Sequence, residues 1–206
     1  MDVVSPAILD ARIRQSERDE RFIALTSEGD LKEAHVLAVM RPSPIHDEAD
    51  RTRVRDLQST LVTSGQWMGA NVVQDTGTII AAFRAGKGPV TSVGGYRIDG
   101  ERMSVSLGAD GTLRQFFLRG NALANAQGDA LFSSPQPLSI SAFFSNAGVD
   151  VETNAATASR VRVYCPKKAP AQVTLNDRTV ADVIYDAGSR VLQIDIPSGY
   201  AMLRVR

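Results

Sequence analysis

The sequence predicts an all-β protein, an antiparallel β-sandwich built from hairpins and meanders, and two observations carry that reading. Short segments alternate strictly between apolar and polar residues, the period of a strand with one buried face. Turn residues separate these segments at roughly the 8–12-residue spacing of an all-β domain.

The alternation is cleanest in Met103-Ser104-Val105-Ser106-Leu107 and in Leu192-Gln193-Ile194-Asp195-Ile196, each with three apolar side chains on one face. Val161, Val163 and Cys165 share a face, with Arg160, Arg162 and Tyr164 opposite. Further strands are predicted over 21–26, 34–40, 67–74, 78–84, 90–98, 113–119, 138–144, 172–175 and 200–205. Asp99-Gly100, Ala109-Asp110-Gly111-Thr112 and Asn176-Asp177 read as hairpin turns, because glycine and asparagine tolerate the positive φ such turns need. Three successive strands from Val90 to Arg119 should then form a meander, with Gly94-Gly95 as a bulge within the first. Between Ile45 and Thr63 the chain is polar and charged; Val54, Leu57 and Leu61 repeat too few times to secure a helix, so a loop leading into a strand is expected. Pro135-Gln136-Pro137 marks the best internal boundary, dividing a main sandwich over 1–134 from a smaller C-terminal β subdomain over 135–206; one continuous sandwich unit is the alternative.

With 206 residues the chain is long enough to bury a real core in either arrangement. Lys plus Arg equals Asp plus Glu at 23 each, which argues against a broad nucleic-acid surface, since phosphate neutralisation needs excess positive charge. The cluster Arg51, Arg53 and Arg55 reads as a solvated run. No apolar run approaches the roughly 20 residues that span a bilayer, so no membrane partner is expected. The start Met1-Asp2-Val3-Val4 shows no secretory signal, and the chain reads as soluble. Cys165 is the only cysteine, which suits either the cytoplasm or a secreted bacterial protein and reads as a small apolar residue at a strand end.

Motifs for chemistry are nearly absent. Ala85-Gly86-Lys87-Gly88-Pro89 lacks the spacing and the helix of a phosphate loop and reads as a hairpin or bulge. His46 lies among Asp47, Glu48 and Asp50, a mixture of nitrogen and oxygen donors; such a loop is usually only solvated. His35 sits in an apolar strand and reads as a satisfied histidine. Neither is assigned a role, and no catalytic residue, metal site or cofactor is expected. Glycan recognition needs aromatic faces, and the supply is thin: Trp67 and the tyrosines Tyr96, Tyr164, Tyr185 and Tyr200. The candidate glycan contacts are Trp67, Tyr96 and its neighbour Arg97, although core packing suits Trp67 better. Phe116-Phe117 and Phe143-Phe144 place one ring on each face, which suggests that both faces are covered.

Two stretches resemble a known family. The first comprises Gln66-Trp67-Met68-Gly69-Ala70-Asn71-Val72-Val73, Ile79 to Arg84 and Val93-Gly94-Gly95-Tyr96-Arg97-Ile98-Asp99-Gly100-Glu101-Arg102. The second runs from Pro137 to Ala142, then through Val173 to Val180 and Ile184-Tyr185-Asp186, and closes with Val191 to Gly199. In that order they resemble the C-terminal β-sandwich region of heparinase II/III-like polysaccharide lyases. The resemblance implies an accessory domain that packs on a toroid-type catalytic domain, absent from this chain, or lines its substrate cleft. It also implies an extracellular or periplasmic setting and a polysaccharide or that catalytic domain as partner. On this reading the chain is a non-catalytic module of polysaccharide processing, and an apolar patch should mark where the missing domain sits. Two alternatives stay open: a free-standing carbohydrate-binding module, which needs exposed aromatics, and an enzyme with its site around His46.

Overall fold

The computed structural model describes residues 2–4, 9–15, 21–27, 37–39, 58–84, 91–166 and 169–206. Among them there is no helix, and the fold is an antiparallel, sandwich-like all-β structure. Two small ribbons form hydrogen-bonded sheets of their own: β1 (Asp2–Val4) pairs with β4 (Leu37–Val39), and β2 (Leu9–Gln15) pairs with β3 (Arg21–Ser27). The other fourteen strands share one hydrogen-bonded sheet.

That sheet bends into two layers. In the first, β5 (Gln58–Ser64), β6 (Trp67–Gln74) and β7 (Gly77–Arg84) lead to β9 (Tyr96–Gly108), β10 (Leu113–Ala124) and β11 (Ala130–Ser145). β12 (Gly148–Ala155), β18 (Gly199–Val205), β14 (Val173–Leu175) and β15 (Arg178–Thr179) complete it. The second layer uses the opposite halves of β9, β10 and β11. There β8 (Thr91–Val93) pairs with residues 96–98 of β9, and β13 (Ser159–Tyr164) pairs with Phe132 and Ser133 of β11. β17 (Val191–Ile196) and β16 (Ile184–Asp186) follow.

Three long strands therefore belong to both layers, and each has a device for turning the corner. β9 and β10 cross at Gly100 and Gly120, where a Cβ on Gly120 would lie 2.3 Å from the Gly100 Cα and 2.4 Å from the Asp99 carbonyl oxygen. Only two bare backbones fit that approach. β11 turns at Pro135-Gln136-Pro137: Leu138 pairs with Gly120 and Ser133 with Ala122, so residues 134–137 oppose the single residue Asn121. Proline supplies no ladder donor and suits a bulge, and strands that change layers commonly do so at bulges. The proline pair thus sits within one continuous strand, and the strands on either side of it share one sheet and one core.

The core lies between the layers. Across the first, Ala82, Met103, Leu118 and Ile140 form a row, and Ile80, Val105, Phe116, Ala142, Val151 and Leu203 form the next. The second layer answers with Ile98, Leu123, Phe132, Val163 and Leu192. Phe116, Leu118, Leu123, Val105, Val151, Val161, Val163 and Leu192 have no accessible surface. Burying each such side chain contributes about 1.5–3 kcal/mol of transfer free energy, which is why the alternation fixes the register: a one-residue slip would expose the whole row.

Two of the three predicted hairpin turns form and one does not. Asp110-Gly111 joins β9 to β10, and Asn176 (φ 51°) with Asp177 (φ 63°) joins β14 to β15. The expected turn at Asp99-Gly100 is absent, because β9 runs straight through it as part of the corner. The turn lies instead at Gly94-Gly95, with φ of 57° and 81°, the double positive geometry of a tight hairpin. The Val90–Arg119 meander exists with its first turn shifted. Residues 85–90, and the charged stretch as far as Leu57, lie outside the described residues.

Candidate functional site

The residues singled out as glycan contacts lie apart from the cleft at the corner of the sandwich. Trp67 opens β6 on the core-facing side, opposite Arg84, and is 2% exposed. The Arg84 guanidinium lies over its ring at 6.0 Å from the centroid, and its Nε1 is buried without a hydrogen-bond partner. Tyr96 is also in the core, and burial raises its phenol above the ordinary range. Their ring faces are occupied by packing, so neither presents a surface on which a sugar could stack. Arg97 alternates outward and is exposed, but it does not line the cleft described next. His35, His46 and Arg51, Arg53 and Arg55 lie outside the described residues.

The corner itself makes the cleft. Where β9, β10 and β11 bend, Gly100 and Gly120 contribute no side chains and Pro137 stands beside them, leaving a hollow of about 630 Å³. Around it stand polar groups. Arg119 Nε meets Glu101 Oε2 at 3.1 Å, with both side chains more than half exposed, so the pair orients more than it stabilises. Asn121, the residue opposite the proline bulge, donates from Nδ2 to the Ser134 carbonyl oxygen at 3.4 Å. Arg84 and Asp99 complete one side, Ser139 and Asn154 the other.

Ser139 and Asn154 also line a second, shallow groove of about 120 Å³ on the outer face of the first layer. The register explains the continuity: Arg119, Ser139, Asn154 and Tyr200 are successive partners across four strands. The neighbouring row is Phe117, Ser141, Glu152 and Met202. Tyr200 is 59% exposed and Phe117 half-buried, and both line the groove with Ser139 and Ser141 as its small-residue floor. Phe143, two residues along, is 43% exposed. The rings of the two Phe-Phe pairs thus divide: Phe116 is in the core and Phe144 packs against it at 6.0 Å, while Phe117, half-buried, and Phe143, exposed, face outward.

No family model and no curated protein sequence matches the chain. The site is therefore read from its own residues.

As a surface, cleft plus groove offers amide, hydroxyl, carboxylate and guanidinium groups beside two aromatic rings. Among the described residues no three His, Cys, Asp or Glu side chains gather as a metal-holding group. Sequence reasoning counted Tyr200 and Phe117 but did not single them out. A signal was present: each is an aromatic at a position whose strand phase faces away from the core, whereas Trp67 and Tyr96 have the core-facing phase.

The outer faces do not carry a broad apolar patch among the described residues. The exposed large apolar side chains Val73, Ile79, Phe143, Ile184 and Tyr200 come from five different strands. On the outer face Ile79 and Phe143 are separated by Ser106 and Gln115.

Proposed function

We propose that this chain is a non-catalytic β-sandwich module of polysaccharide processing that holds the polymer in the corner cleft and its groove. The connected hollow carries the reading. Sugar recognition combines polar side chains for hydroxyl groups with an aromatic face for the C–H surface, and Asn121, Asn154 and Ser139 stand beside Tyr200 and Phe117 in that arrangement. The resemblance of the strands to the sandwich region of heparinase II/III-like lyases supports the same polymer class. Attached to a toroid-type catalytic domain, such a module would line the margin of the substrate cleft. The scatter of exposed apolar residues favours direct polymer contact over docking through an apolar patch.

The test is affinity electrophoresis of the purified chain in gels containing acidic and neutral polysaccharides, with and without calcium, alongside Tyr200→Ala. Retardation by one polymer class, weakened roughly 2–10-fold by the loss of the ring, supports the reading. Mobility unchanged by every polymer would sink it. So would retardation indifferent to Tyr200→Ala together with Asn154→Ala.

A further inference from the structure

Resting on that reading, we infer that the bound polymer lies lengthwise along β11, as one extended chain in a trough floored by Ser139 and Ser141. The register builds the trough. On the outer face of the first layer Ser141 stands between Phe117 of β10 and Glu152 of β12, and Ser139 stands between Arg119 and Asn154. The two serines are short and half-buried. All four flanking side chains are longer, and Arg119, Glu152 and Asn154 are exposed. The flanking strands are two strand spacings apart, about 9.5 Å between backbones. The low line therefore runs with β11, between two walls that leave room for a single chain.

Groove and cleft follow the same line. The shallow groove holds Ser141 and Ser139 with Phe117 on one side and Tyr200 on the other. The corner cleft takes over at Ser139 and continues past Leu138 and Pro137 towards Asn121 and the bare backbones of Gly100 and Gly120. From Ser141 to Pro137 this is about 13 Å of strand, the length of a short oligosaccharide. A chain laid across the sheet from Arg119 to Tyr200 would have to climb over the Arg119 and Asn154 side chains. The path along β11 passes between them and gains polar contacts from both walls, the Asn154 amide being able to donate to a sugar hydroxyl or accept from it. A branch on a bound sugar would meet Phe117 or Asn154, so Ser139 and Ser141 set the width of what the site accepts.

The experiment fills the path. The intact chain is run in gels of acidic and neutral polysaccharides beside Ser141→Phe and Ser104→Phe. Ser104 is the partner of Phe117 on the side away from Ser141, so a ring there stands on the same outer face but behind the wall. The expected result is that Ser141→Phe weakens retardation at least about tenfold, while Ser104→Phe changes it less than about twofold. A chain crossing the sheet through Phe117, Ser141 and Glu152 would be hindered by both rings, and one crossing through Ser139 and Asn154 by neither. Either of those outcomes, with retardation still dependent on Tyr200, overturns the lengthwise path and leaves the site. Urea midpoints show whether the variants fold; should Ser141→Phe not do so, the slimmer Ser141→Gln decides, and retardation unchanged by it overturns the path. Retardation by no polymer overturns both the path and the polymer-holding site.

Discussion

Replacing Gly120 by alanine tests whether the corner of the sandwich depends on two bare backbones. The added methyl carbon would lie 2.3 Å from the Gly100 Cα and 2.4 Å from the Asp99 carbonyl oxygen. Both obstacles are backbone of a strand paired along its length, so neither can rotate away as a side-chain tip would. Overpacking of a well-packed site typically costs 1–3 kcal/mol, and an immovable obstacle argues for the top of that range, about 3 kcal/mol. For a chain of this size that corresponds to a fall in Tm of roughly 6–12 °C. Gly95→Ala separates clash from backbone conformation: Gly95 has φ 81° but nothing within 4 Å of its added carbon. Its cost should be only that of a left-handed residue, about 1–2 kcal/mol. Thermal unfolding followed by far-ultraviolet circular dichroism, with urea titration as a check, gives both values. A Gly120→Ala variant no less stable than Gly95→Ala would refute the idea that close approach at the corner holds the layers in place.

Other consequences concern the core and the exposed ion pairs. Phe116→Ala, at a position with no accessible surface, should cost about 3–5 kcal/mol, whereas Tyr200→Ala should leave the urea midpoint nearly unchanged; equal losses would contradict the assignment of inner and outer faces. Burial pushes the Cys165 thiol up to about 12, and the side chain is 3% exposed, so a thiol reagent should label the native protein far more slowly than the urea-unfolded chain; equal rates would show that β13 ends in the open. Asp195 is held below the usual carboxylate range first by its hydrogen bond from Arg160, Asp110 by that from the Thr112 hydroxyl, and Asp186 by that from Ser189. Because these folded values lie below the unfolded ones, the unfolded chain binds more protons between them; the stabilisation is present above about pH 4 and is lost as pH falls through the folded values. These carboxylates should therefore make Tm fall at the acid end, and the difference between wild type and Asp195→Asn should shrink there; a difference constant down to pH 2–3 would show that the pair contributes nothing.

Much of the sheet was legible because it obeys a local rule. β6 begins and ends at Trp67 and Gln74 as predicted, and β17 contains the alternating Leu192–Ile196 with Val191 added at its start. The corner was not legible, because its signals are locally ambiguous. Asp99-Gly100 carries turn chemistry, yet its glycine is needed for a close approach between β9 and β10, a long-range requirement invisible in the immediate neighbours. Pro135 to Pro137 read as a boundary for the same reason: proline marks a chain that leaves a ladder, without saying whether it ends or changes layer. The cleft was missed with the corner that forms it. Aromatic identity alone drew attention to Trp67 and Tyr96, whereas strand phase distinguishes their buried rings from the outward Phe117 and Tyr200.

The most direct test of the polymer-holding cleft is to follow backbone amide shifts of the isotope-labelled protein during titration with a soluble oligosaccharide cut from a retarding polymer. The account predicts shifts concentrated at Arg119 to Asn121, Ser139, Ser141, Glu152 to Asn154 and Tyr200, the residues that the register brings together across β10, β11, β12 and β18. Shifts gathered around Arg160 and Gln193 on the other layer, or at Arg97 alone, would contradict it.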